Sequence, residues 1–183
     1  MKSIVILGAT GSIGDSTFKA LEGLRDQFRI VGLSGGRRVD KLVARAVEWG
    51  VESVCIGDAA LVGDLRTGLP RSAVHHGEEG LLNLVQMPEV DLVVNALVGA
   101  VGLASTLAAV NAGKDVAMAN KEPLVMAGGL ILEKAASMGT TILPLDSEPN
   151  AIWQCLKGES RGELTHILLT ASGGPFFGWT RDR

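Results

Sequence analysis

The sequence contains no tyrosine and few aromatics of any kind, four Phe and three Trp among 183 residues. That removes the stacking platforms on which binding of single-stranded nucleic acid rests. Positive charge is not in excess either. The 17 Lys and Arg against 20 Asp and Glu leave a formal net charge of −3, whereas nucleic-acid binders draw most of their energy from neutralising phosphates. Only two cysteines are present, Cys55 and Cys155. Far apart and outside any metal or redox spacing, they exclude a disulfide framework and favour a reducing compartment. No apolar run is long enough to span a bilayer, and Met1-Lys2-Ser3 leads straight into an apolar stretch, so no leader is expected. The expectation is a cytoplasmic protein that engages neither nucleic acid nor membrane, of ordinary globular composition at 46% hydrophobic and 20% charged residues. The length suits one domain, or one domain plus part of a second.

Glycine, by contrast, is abundant at 24 residues, about twice the usual share. Much of it follows expected strands. Residues 2–7 form a short apolar, β-rich run, then Gly8-Ala9-Thr10-Gly11-Ser12-Ile13-Gly14, then a helix over 15–24 with Phe18, Leu21 and Leu24 on one face. Such a turn exposes backbone N–H groups at a helix N-terminus, where the dipole favours a pyrophosphate and where side chains would block the approach. A tight turn with no ligand is the alternative. Strand 28–33 ends in Ser34-Gly35-Gly36-Arg37-Arg38. An NAD-preferring fold places an acid near this point; two guanidinium forks suit the 2′-phosphate of NADPH instead, unless they are simply solvated charges opening helix 39–49.

Strand and helix go on alternating through 51–56, 59–69 and a helix near 78–86, with His75 and His76 between as structural or surface residues. A strand over 90–97 with almost no polar interior fits the middle of a covered parallel sheet, and a small-residue helix, 103–112, follows. Strand 115–119 ends in Asn120-Lys121-Glu122, polar groups where open α/β sheets bind ligands, or an ordinary exposed loop. Helix 124–138 leads to an extended run over 140–145 and then Asp146-Ser147-Glu148-Pro149-Asn150. Residues two apart on extended backbone share a side, so Asp146 and Glu148 could hold one hard divalent ion, Mg²⁺ or Mn²⁺. Alternatively Asp146 and Ser147 cap helix 151–156, which carries Ile152, Trp153 and Leu156 toward a core. A strand over 164–170, with His166 as a structural residue, precedes Ala171-Ser172-Gly173-Gly174-Pro175-Phe176, either a second anion cradle or a bare turn. Phe176, Phe177 and Trp179 have nothing following to cover them, and the tail is expected to self-associate or stay mobile.

Four motifs stand in order: Gly-Ala-Thr-Gly-Ser-Ile-Gly at 8–14, Ala-Asn-Lys-Glu at 119–122, Leu-Asp-Ser-Glu at 145–148 and Ala-Ser-Gly-Gly-Pro-Phe at 171–176. Together they strongly resemble the 1-deoxy-D-xylulose 5-phosphate reductoisomerase family, over essentially the whole chain. The resemblance implies a Rossmann-like α/β domain with a doubly wound, mostly parallel sheet over 1–145, and the beginning of an α/β catalytic domain over 146–183. It implies an NADPH- and Mg²⁺- or Mn²⁺-dependent conversion of 1-deoxy-D-xylulose 5-phosphate to 2-C-methyl-D-erythritol 4-phosphate, by a homodimer in the full-length family. By motif, Gly8, Thr10, Gly11, Ser12 and Ile13 would cradle the NADPH pyrophosphate, Gly36, Arg37 and Arg38 its adenosine-phosphate end, and Asn120 and Glu122 its nicotinamide half. Lys121 would reach the substrate, Asp146 and Glu148 would ligate the metal, Ser147 and Glu148 would contact substrate oxygens, and Ser172 would bind the substrate phosphate.

Two residues depart from the family pattern: Pro123 stands where Ser is usual and Pro149 where His is. Each proline is expected to hold its predecessor, Glu122 or Glu148, in extended or turn geometry. The family's catalytic domain also runs well beyond residue 183, supplying a third acidic ligand, a flap and a helical domain. The rival expectation is therefore a truncated, non-catalytic NADPH-binding module.

Overall fold

The first strand, β1 (Lys2–Leu7), is buried at every position after Lys2, which requires a strand covered on both faces. Its side chains divide by parity. Ile4 and Ile6 join a core with Phe18, Leu21, Leu42, Ala46 and Leu65, whereas Val5 and Leu7 join one with Leu84, Val85, Ala109, Val110 and Ala135. The first core is covered by α1 (Ser12–Leu21), α2 (Val39–Trp49) and α3 (Val62–Gly68), the second by α4 (Gly77–Val85), α5 (Gly102–Asn111) and α6 (Glu122–Met138). This is a doubly wound α/β layering. The computed structural model describes residues 1–170, 173–180 and 182.

Between these helices run β2 (Phe28–Gly35), β3 (Ser53–Ile56), β4 (Ala73–His76), β5 (Leu92–Asn95), β6 (Asp115–Met118) and β7 (Ile142–Pro144). The sheet order is β4-β3-β2-β1-β5-β6-β7, and the pairs from β4 through to β6 are parallel. Strand order reverses between β1 and β5, so the loops leaving these two strands part to opposite faces and open a crevice at their carboxyl ends.

Several expectations are corrected. An edge strand not expected from the sequence, β4, holds His75 and His76 opposite Cys55 and Ile56, which does not contradict their reading as structural or surface residues. Residues 164–170 form no strand and are exposed, and they are not part of the seven-stranded sheet. His166 therefore lies on exposed irregular backbone, where its ring nitrogen Nδ1 is 3.0 Å from Thr165 Oγ1. Helices α6 and α7 (Ser147–Leu156) begin earlier than expected, at Glu122 and Ser147. Each proline sits in a first helical turn, where the N–H has no intrahelical partner to lose, so Glu122 and Glu148 are helical rather than extended.

The chain divides into two compact units, 1–143 and 144–183. No described residue of 144–183 is buried, and Trp153 is 40% exposed, so α7 carries Ile152, Trp153 and Leu156 toward no interior of that unit. Among the described residues no helix is long and apolar enough to cross a membrane.

Candidate functional site

The three glycines of the opening loop differ in what they do. Gly8 takes φ +79°, and a Cβ there would lie 2.4 Å from the Ala96 carbonyl oxygen, so the turn out of β1 passes directly against the chain leaving β5. Gly11 is the extended N-cap of α1 and brings no capping side chain. At Gly14 a Cβ would meet the Ala9 carbonyl oxygen at 2.5 Å, which lets α1 pack hard on the strand end. One glycine makes the turn, one leaves the helix N-terminus bare, and one permits close packing. This division of labour is the one a pyrophosphate-binding turn requires.

The end of β2 braces that turn. Ser34 Oγ accepts from the Gly8 N–H at 3.0 Å and the Ser34 carbonyl accepts from Ala9 N–H at 2.7 Å. Thr10 is buried while Ser12 and Ile13 are exposed. The first N–H groups of α1 have no partner inside the helix and meet the positive end of its dipole, which suits an anion. Asp15, in the same turn, is neutralised by Lys41 Nζ at 2.6 Å and Arg45 at 3.3 Å. The Lys41 hydrogen bond, helped by Arg45, holds its carboxyl below the ordinary range.

Gly36, Arg37 and Arg38 are exposed beyond β2. Arg37 reaches Asp58 at 3.3 Å with 81% of its side chain still in solvent, and Arg38 is the N-cap residue of α2. Both line an open groove of about 800 Å³ with Lys41, Val43, Leu61 and Asp64. Arg37 is thus neither a bare solvated charge nor locked in place.

On the other side of the crevice Asn120 is buried, and its carboxamide donates to Gly99 O at 2.9 Å and accepts from Glu122 N–H at 3.1 Å. Lys121 and Glu122 beside it are exposed. Asn95, at the end of β5, is wholly buried and escaped the sequence reading. A single carboxamide closing an otherwise apolar strand was the signal that could have found it.

In the second unit Asp146 is the extended N-cap residue of α7, while Ser147 and Glu148 occupy its first turn. The two carboxylates are therefore not successive same-side positions of one extended run, as their spacing suggested; they share a helix N-terminus. Asn150 secures the turn by donating to Pro144 O at 2.6 Å and accepting from the Gln154 amide. Ser147 and Glu148 line a hollow of about 600 Å³ with Ile152, Cys155, Leu164 and His166. Among the described residues no group of three His, Cys, Asp or Glu is placed to hold a metal. Ser172 lies outside the described residues.

The sheet order and the opening loop define a doubly wound, Rossmann-like α/β chain. Family models narrow this. Residues 4–128 match 1-deoxy-D-xylulose 5-phosphate reductoisomerase, and residues 142–183 match the C-terminal domain of the same enzyme. The chain belongs to the 1-deoxy-D-xylulose 5-phosphate reductoisomerase family. A reductoisomerase of Nitratidesulfovibrio vulgaris (strain DP4) is 44% identical over 184 residues, covering 99% of this chain and 45% of its own length. The solved reductoisomerase of Zymomonas mobilis in complex with NADPH is 39% identical with a TM-score of 0.90, covering 98% of this chain and 48% of that one. A DOX-P reductoisomerase solved with NADPH, fosmidomycin and magnesium is 46% identical with a TM-score of 0.81, over 85% of this chain and 39% of its own. The chain spans about half the length of the curated relatives it matches.

Proposed function

We propose that the first unit binds NADPH and that the chain serves the family's reaction, the rearrangement of 1-deoxy-D-xylulose 5-phosphate and its reduction to 2-C-methyl-D-erythritol 4-phosphate. The observation that carries this is the loop at 8–14, with its bare helix N-terminus at the switch point of a doubly wound sheet. The N–H groups around Thr10, Gly11, Ser12 and Ile13 hold the pyrophosphate. Gly36 leaves room for the adenosine end, and the Arg37 and Arg38 guanidiniums pair with the 2′-phosphate. Asn120 and Glu122 flank the nicotinamide half, and Lys121 brings an ammonium to substrate oxygens.

Asp146 and Glu148, sharing a helix N-terminus, would offer two carboxylate oxygens to Mg²⁺ or Mn²⁺. The remaining places fall to water and substrate, which Mg²⁺ accepts. When bound, the ion supplies Lewis-acid stabilisation of charge on adjacent substrate oxygens. Ser147 donates to the substrate, and Ser172 takes its phosphate. A cytoplasmic homodimer belongs to the same reading, the compartment being favoured by two cysteines that form no disulfide.

A second reading, a non-catalytic NADPH-binding module, is favoured by a specific observation: the metal pair has no third protein ligand among the described residues. Two measurements separate them. Consumption of NADPH with 1-deoxy-D-xylulose 5-phosphate and Mg²⁺ supports the enzyme, whereas nucleotide binding without oxidation supports the module. Fluorescence titration should show NADPH bound more tightly than NADH, and equal affinities would defeat the roles given to Arg37 and Arg38.

A further inference from the structure

Asn95 closes β5 with no solvent exposure, and its carboxamide is spent on the loop that follows. Nδ2 donates to Gly102 O at 3.1 Å and to Thr106 Oγ1 at 2.8 Å, while Oδ1 accepts from Leu97 N–H at 3.2 Å. Thr106 Oγ1 donates in turn to Gly102 O at 2.8 Å, and Ser105 Oγ reaches the same carbonyl at 3.2 Å. The neighbouring strand end is tied to this loop by Asn120 Nδ2, which donates to Gly99 O. Gly102 lets the two amides approach, since a Cβ there would stand 2.6 Å from Asn120 Nδ2 and 3.0 Å from Asn95 Nδ2. Burying so many polar groups is costly unless each is satisfied, and a satisfied network fixes one geometry.

What it fixes lies on the crevice. Ala96, next to Asn95, presents the carbonyl against which Gly8 turns. In a doubly wound sheet the two halves of a dinucleotide lie on opposite sides of the switch point. With the adenosine end at Gly36, Arg37 and Arg38 beyond β2, the other half falls beside the loops of β5 and β6. We propose that Asn95, acting with Thr106, is a positioning residue: it holds residues 96–101, and through Gly99 and Asn120 residues 119–122, as the wall for the nicotinamide half. The inference rests on the NADPH reading above.

The test compares two ligands on the full chain. Asn95→Ala should weaken NADPH about tenfold, while 2′,5′-ADP, which carries only the adenosine half, binds as it does to the parent. Thr106→Val, which keeps the shape and deletes the hydroxyl, should shift NADPH affinity in the same direction, and Thr106→Ser should bind like the parent. If Asn95→Ala does not fold, Thr106→Val carries the same comparison. An equal loss for both ligands, or no loss for either, overturns the proposal. If the parent binds neither ligand, the NADPH reading itself falls. Amide exchange of the unliganded chain then decides the positioning role: faster exchange at 97–102 and 120–122 with 8–14 unchanged supports it, and unchanged exchange overturns it.

Discussion

A methyl group tests the opening loop most directly. Gly8→Ala must adopt φ +79° and place its Cβ 2.4 Å from backbone at Ala96, so it should lose about 2 kcal/mol or more of stability and the nucleotide with it. Urea denaturation and NADPH titration measure both. The thiols make a second prediction. Burial pushes Cys55 from its ordinary 9.0 up to about 12, while Cys155 is exposed. One thiol should react quickly with a chromogenic disulfide at pH 8, and two after unfolding. The sign for stability follows: above pH 9.0 the unfolded chain ionises Cys55 and the folded chain does not, so stability falls as pH rises from there toward 12. The separate tasks of Gly8, Gly11 and Gly14 needed their backbone angles and neighbours, but that 8–14 is a glycine-rich turn out of a strand was legible at this scale. Ser34 and Asn95 were not, because one hydroxyl or carboxamide in an apolar strand does not announce which distant N–H or carbonyl it will meet.

At the scale of the element, α6 is two helical segments joined at Ala127, whose φ −146° and ψ 29° are non-helical, with Gly128 and Gly129 following. Kinks at glycine are expected, and a Cβ at Gly129 meets nothing within 4 Å. Gly129→Ala should therefore stabilise the chain by about 0.5–1 kcal/mol, read as a rise in melting temperature; a fall would mean that the bend needs glycine there. Strands β1, β2, β5 and β6 were legible as apolar runs ending in glycine or polar residues. The edge strand β4 was hidden by its histidines, and the segment 164–170 has a strand's composition but no place in the sheet. Both errors have one cause: composition reports burial on a sheet face, whereas a strand is defined by the partner that takes its hydrogen bonds.

Across the whole molecule, burial is uneven. The first unit contains two continuous cores, while the described residues of 144–183 include none that is buried and expose Leu168, Phe176 and Phe177 at 85%, 70% and 80%. Limited proteolysis should cut within 144–183 first and leave 1–143 intact and able to bind NADPH; early cuts inside 1–143 would contradict this. Both the order of the four motifs and the alternation that builds the sheet were plain from the sequence. A helix start at Asp146 was one of two readings open in the sequence, and what stayed hidden was that α7 begins at Ser147, four residues earlier than expected, because Pro149 is tolerated in a first turn. The clamp of Ser34 on Gly8 and Ala9 has a thermodynamic corollary. A receptor already set in its final shape gives up little freedom when its guest arrives. Calorimetry should then record a heat-capacity change set by the dehydrated area alone, and stopped-flow traces should rise in a single step whose rate grows linearly with nucleotide concentration.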